Sequence, residues 1–161
     1  MKELLISLRE VMERQNSLVK ELIELGNRET AALKKNDIIA VSRITKEQEI
    51  LGTELVKAEQ KRMQLHQELA GRLNLPRQCT LSQILDQNLP EGGEKLAQLS
   101  RELGENYHRL HEINELNKLL IRQSLALVNR LLTYLHPQHR LTYRSTGEVE
   151  VIPSSTLNQT V

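Results

Sequence analysis

Aromatic residues are nearly missing from this chain: its 161 residues include three tyrosines and neither phenylalanine nor tryptophan. Glycine (7) and proline (4) are scarce too. Strands favour aromatic and β-branched residues and need turn residues at short intervals, so both shortages argue against a sheet protein. The one cysteine, Cys79, excludes an intrachain disulfide and fits a reducing compartment. Neither sign of charge is in excess: 22 Lys and Arg stand against 21 Asp and Glu. No basic stripe interleaved with aromatics follows a phosphate backbone, which argues against nucleic acid as a partner. No apolar run approaches the ~20 residues of a membrane span, and the N-terminal stretch meets Glu3 and Glu10 too soon for a signal peptide. A soluble cytoplasmic protein without membrane insertion is the expectation.

What is present is leucine, 30 residues of it, among runs of Glu, Lys, Arg, Gln and Ala. This composition points to long helices. Leu4, Leu8, Val11, Gln15, Leu18, Leu22, Leu25, Glu29 and Ala32 are spaced by alternating gaps of four and three, a heptad seam. A second row at Leu5, Met12, Val19, Gly26 and Leu33 widens the stripe toward that of a bundle helix with more than one neighbour. Lys34 to Asp37 interrupts the pattern with cations suited to a helix C-terminus and two residues able to cap the next helix. The seam resumes at Val41, Ile44, Gln48, Leu51, Leu55, Ala58, Arg62, Leu65 and Leu69 until Leu75-Pro76 stops it. Thr80 to Gln83 has the spacing of a capping box and starts a short connecting helix. A third seam runs from Leu96 through Leu103, Leu110, Asn117, Leu127 and Leu131 to Tyr134, ending at His136-Pro137. The expected fold is all-α: an antiparallel bundle of three long coiled-coil helices, about 2–34, 37–73 and 94–136, with one short connecting helix.

Residues 1–136 thus form the helical body, and 137–161 a flexible C-terminal tail. In that tail the apolar cluster Val149 to Ile152 is isolated among polar residues and too small to offset its own ordering entropy. Polar residues at seam positions, Gln15, Glu29, Gln48, Arg62, Asn106, Asn117 and Ser124, either set register or lie at helix ends and exposed stretches. The second reading is preferred.

The sequence argues for no catalytic, cofactor-binding or metal site. It contains none of the nucleophile-elbow, phosphate-loop, Cys-x-x-Cys or dinucleotide motifs. Glu105 and His108 have the Glu-x-x-His spacing of a di-iron bundle, with His111, Glu112 and Glu115 nearby. No second such helix exists in the chain, so a solvated charged face is expected there.

The anomaly is an apolar excess between Leu116 and Leu135. Beside the seam residues Leu120, Leu127, Leu131 and Tyr134 runs a second row, Ile121, Leu125, Val128, Leu132 and Leu135. Two readings stay open. Either the other helices or a second protomer bury both rows, or an exposed strip awaits an amphipathic partner helix. Tyr143 poses a similar choice in the polar tail, between a solvated side chain and an anchor for a partner.

Three stretches carry a resemblance: the helix reversal Ala32 to Val41, the segment Leu116 to Leu125, and the tail element Leu141 to Gly147. In order and spacing they resemble the FlgN family of flagellar type III export chaperones. Arg144-Ser145-Thr146 departs from the Gly-Ala-Asp common in that family's tail. The resemblance implies a non-enzymatic cytoplasmic chaperone of flagellum assembly, binding terminal helices of the hook–filament junction proteins (FlgK and FlgL types) and preventing their premature assembly. It assigns substrate-helix binding to Ile121, Leu125, Val128, Leu132 and Leu135, and docking at the export gate, FlhA, to Tyr143. Without substrate the strip would close a homodimer. The alternative is a structural coiled-coil component of the export apparatus that binds no substrate and buries the 121–135 row internally.

Overall fold

The computed structural model describes residues 2–76, 78–86 and 93–135, together with the backbone of 140–143 and 149–152. Four helices follow in order, α1 (Lys2–Lys34), α2 (Ile38–Arg72), α3 (Leu81–Leu85) and α4 (Gly93–Leu135), then strands β1 (Arg140–Tyr143) and β2 (Val149–Ile152). The long helices lie within one residue of the bounds expected from the heptads. The chain divides into two compact units, residues 1–120 and 121–161.

In the first unit α2 runs antiparallel to α1, as the pairs Arg14–Glu54 (2.5 Å) and Arg28–Glu47 (3.4 Å) record. Within this unit α4, from Asn106 to Asn117, lies along α1 in the same direction. Asn106 Nδ2 donates to Asn16 Oδ1 at 2.6 Å, and further along Asn117 reaches Gly26 and Glu29. The result is an up-down-up, all-α bundle in which α1 touches both neighbours. Its double stripe follows from that position: Leu8, Gln15, Leu18, Leu22, Leu25, Glu29 and Ala32 are buried, and so are Leu5, Met12, Val19 and Gly26. Gly26 matters for close approach, because a Cβ there would sit 2.7 Å from Ile113 Cγ2.

Both reversals out of the long hairpin helices are built by asparagine. Asn36 takes φ 54° and Asn74 φ 55°, the left-handed region that terminates helices. Around each, two backbone bonds close the helix end: Asp37 N–H to Ala32 O (3.0 Å) with Asn36 N–H to Leu33 O (3.1 Å), and Leu75 N–H to Ala70 O (2.9 Å) with Asn74 N–H to Gly71 O (3.2 Å). Asp37 then caps α2 by accepting from Ala40 N–H at 3.0 Å. The capping box opening α3 forms in full, Gln83 N–H to Thr80 Oγ1 and Thr80 N–H to Gln83 Oε1.

The connection between α2 and α4 is part of the core. Cys79 and Ile84 join Leu5, Leu8, Met12, Leu65, Leu69, Ala70 and Leu96 in one apolar cluster, and Leu75, Leu81 and Leu85 pack against it. A middle cluster of Val19, Ile23 and Leu103 is flanked by Leu55, Leu110 and Ile113. At the hairpin tip Leu25, Ala32 and Ile44 form a third.

One sequence expectation needs correction. Three polar seam residues are neither terminal nor exposed: Gln15 is 0% accessible, Asn117 3% and Glu29 9%. Partners on neighbouring helices satisfy Glu29 and Asn117 and the Gln15 amide nitrogen, whereas the buried Gln15 Oε1 has no partner among the described residues. Within residues 137–161 the backbone of β1 and β2 pairs antiparallel, with Arg140 opposite Ile152 and Tyr143 opposite Val149. The apolar cluster Val149 to Ile152 is isolated along the sequence but not in strand register.

Candidate functional site

The last buried residue of α4 is Asn117, held in a polar layer by both backbone and side chains of α1. Its Nδ2 donates to the Gly26 carbonyl (3.0 Å) and to Glu29 Oε2 (2.9 Å), and its Oδ1 accepts from the Thr30 hydroxyl (2.6 Å). Gln48 Nε2 donates to the same Glu29 oxygen at 3.0 Å, so the layer ties α1, α2 and α4 together. A second polar layer lies nearer the other end. Gln15 Nε2 (2.6 Å) and Arg62 both donate to Glu59, the arginine through Nε (3.0 Å) and Nη2 (2.6 Å). These bonds, Arg62 first, hold the Glu59 carboxyl below its usual range and push the Arg62 guanidinium up. Burial, with the Arg62 charge second, lowers the His66 imidazole, and burial beside Glu59 raises the Tyr107 phenol. Three donors, Gln15 Nε2 and the Arg62 Nε and Nη2, converge on the one carboxylate, as in a register-setting element.

The second unit begins where burial on α4 stops. Ile121, Leu125, Val128, Leu132 and Leu135 are all exposed, from 37% at Ile121 to 73% at Leu135. The seam residues Leu127, Leu131 and Tyr134 are exposed as well, the last to 83%. At about 100° per residue, Leu120 and the residues of both rows share roughly half the helix circumference, with Ser124 between the rows. The two rows seen in the sequence thus form one broad exposed surface. Sixteen or so residues of helix carrying an uncovered apolar face suit a partner that is itself an amphipathic helix.

Tyr143 is the last residue of β1, opposite Val149. Gly147, expected to let the chain turn after Tyr143, lies outside the described residues. Sequence reasoning also passed over the first turn of α2, where Ile38 and Ile39 are strongly exposed. Two isoleucines directly after a cap are the signal.

The histidine constellation on α4 assembles nothing further. His108 Nε2 lies 3.5 Å from Glu112 Oε1, and both side chains are largely solvated. Among the described residues no three His, Cys, Asp or Glu groups come together as metal ligands. Among those residues, too, no helix is long and apolar enough to cross a membrane.

A family model described as FlgN protein matches residues 1–150, covering the bundle, the exposed strip and Tyr143. The chain belongs to the FlgN family. No curated protein and no solved structure matches it. FlgN proteins are flagellar export chaperones, which bind flagellar substrate proteins, and they form a chaperone family rather than an enzyme family. The heptad bundle, the exposed face and this membership are mutually consistent: a chaperone for helical clients needs a rigid scaffold and an uncovered apolar surface.

Proposed function

We propose that this FlgN-family chain holds hook–filament junction proteins of the FlgK and FlgL type in the cytoplasm, covers their terminal helices and delivers them to the export gate, FlhA. The observation that carries the reading is the exposure of Ile121, Leu125, Val128, Leu132 and Leu135 on one face of α4. Five such side chains in contact with a client helix would each contribute on the order of 1.5–3 kcal/mol before ordering costs are subtracted. Polymerising terminal helices are the client segments whose premature association a chaperone must prevent. A structural coiled-coil component without a client would have this row covered within its own fold, and the row's exposure counts against that alternative. Tyr143 is assigned to gate docking by its position in the family's tail element.

The test is a titration of the purified chain with a purified junction protein and with the same protein lacking its C-terminal helix. Binding of the first but not the second is expected. Equal binding of both would remove the terminal helix from the mechanism.

A further inference from the structure

The apolar face of α4 has borders of one sign. Glu115 is the last acidic residue before Glu148, and the 32 residues between them contain Lys118, Arg122, Arg130, Arg140 and Arg144. On α4 itself, Lys118 and Arg122 lie beside the Ile121–Leu125–Leu132 edge of the face, and Arg130 lies beyond the opposite edge at Leu127 and Tyr134. All three are exposed. Lys118 is drawn back to Glu115 at 2.6 Å, whereas Arg122 and Arg130 meet no carboxylate among the described residues. In the bundle some exposed cations are crossed with acids, as in Arg14–Glu54, Lys20–Glu102 and Arg28–Glu47, while others, among them Arg43, Arg101 and Arg109, also make no ion pair among the described residues. What sets Arg122 and Arg130 apart is their place beside uncovered apolar surface in a stretch of sequence without any acid.

We propose that the occupant of this face is an amphipathic helix whose apolar stripe is bordered by Asp and Glu, and that Arg122 and Arg130 select it. The proposal rests on the client-binding reading above and adds the chemical class of the client. An arginine beside an apolar stripe can lay its stem on the partner and present its guanidinium to a flanking carboxylate, the arrangement that sets partner choice at the edges of coiled coils. The same charges disfavour a second copy of this chain as occupant. Parallel pairing of two α4 faces places each arginine beside its own counterpart, antiparallel pairing brings Arg122 toward Arg130, and residues 116–147 offer no acid to neutralise either. An anionic lipid surface is the weaker fit, since the segment 116–135 has three cations and neither Trp nor Phe, short of the polybasic and aromatic character of membrane-surface helices.

The experiment uses the full chain and two synthetic helical peptides with one Leu/Ile stripe, bordered by Glu in one and by Lys in the other. Fluorescence anisotropy at low salt should show the Glu peptide binding at least about tenfold tighter, with the gap closing as ionic strength rises. Arg122→Glu/Arg130→Glu should invert the preference while circular dichroism stays unchanged, as expected for exposed positions. If both peptides bind equally and Leu125→Asp abolishes both, the face takes helices without charge selection, and only this proposal is lost. If neither binds, or if phosphatidylserine vesicles or a second copy of the chain bind more tightly than the Glu peptide, the acidic-helix assignment is overturned.

Discussion

Asn117 on α4 and Glu29 on α1 meet in the interior of the bundle, the amide donating to the carboxylate at 2.9 Å. Among the described residues Gln48 is the one other side chain donating to that carboxylate. Replacing Asn117 with alanine would strip Glu29 of one buried donor, while the Thr30 hydroxyl and the Gly26 carbonyl keep their own hydrogen bond at 2.9 Å. A buried polar group left unsatisfied costs about 1–3 kcal/mol, and Asn117→Ala should lose that much in chemical denaturation. A loss below about 0.5 kcal/mol, the range of ordinary surface changes, would contradict the assignment.

Gly26 reverses the usual effect of a helical glycine. Gly→Ala in an exposed helix interior normally stabilises by up to about 1 kcal/mol. Here the new Cβ would lie 2.7 Å from Ile113 Cγ2, a branch methyl fixed at χ1 rather than a flexible chain end. Overpacking of this kind costs about 1–3 kcal/mol, so Gly26→Ala should destabilise. Ile113→Ala removes the methyl, and in that background Gly26→Ala should be neutral or stabilising, a coupling that a double-mutant cycle reads directly.

The helices were legible because alternating three- and four-residue gaps leave little freedom: the bounds of α1, α2 and α4 follow from the seams and from Asp37 and Pro76. Burial of Gln15, Glu29 and Asn117 was not legible, since a polar seam residue reads the same whether its partner lies in solvent or on another helix. The partners are 19 to 91 positions away along the chain. The strand pair escaped for a related reason. Residues 140–143 and 149–152 are each too short to show a period, and only their register joins them. The apolar rows of α4 were visible as rows, but their exposure depends on what the rest of the chain leaves uncovered.

The polar cluster around Arg62 makes stability sensitive to acid. Burial and the Arg62 charge lower the His66 pKa from its usual 6.5, so the unfolded chain takes up that proton first as pH falls. The stability held by neutral His66 is complete above about pH 6.5 and drains away below it. Glu59, also lowered, adds a second loss below its unfolded value of 4.5. Urea midpoints should be level from pH 8 to 7 and decline from 6.5 downward. In His66→Gln the first decline should vanish and the second persist; a midpoint rising between pH 7 and 5.5 would contradict the His66 assignment, and no decline below pH 4.5 would contradict the Glu59 assignment.

Leu125 tests the client face with little risk to the fold, because the side chain is 57% exposed and packs in none of the core clusters. Leu125→Asp sets a carboxylate in the middle of the apolar strip. Loss of one buried leucine alone weakens binding about tenfold or more, and the desolvated charge adds to it. Junction-protein binding should therefore disappear while the circular dichroism spectrum and melting temperature stay as in the wild type. A cooperative loss of helix would mean that Leu125 is core.

A substitution at Tyr143 tests the proposed gate docking apart from client binding. The residue is one of only three tyrosines in a chain without Phe or Trp, and it ends β1 in register with Val149, away in sequence from the client strip. A tyrosine brings a broad apolar ring and one hydroxyl at little rotamer cost, which is why such residues anchor interfaces. If Tyr143 enters a pocket on the cytoplasmic domain of the export gate, Tyr143→Ala should weaken that interaction by the 1–2 kcal/mol or more typical of an anchor, about tenfold or greater. Affinity for the junction protein should not change, because the Ile121 to Leu135 face is untouched. Tyr143→Phe divides the effect: retained gate binding assigns it to the ring, and a loss matching that of alanine assigns it to the hydroxyl. Two calorimetric titrations of each variant, one against each partner, give the answer. Equal loss toward both partners would mark a folding defect, and unchanged binding at the gate would remove Tyr143 from docking altogether.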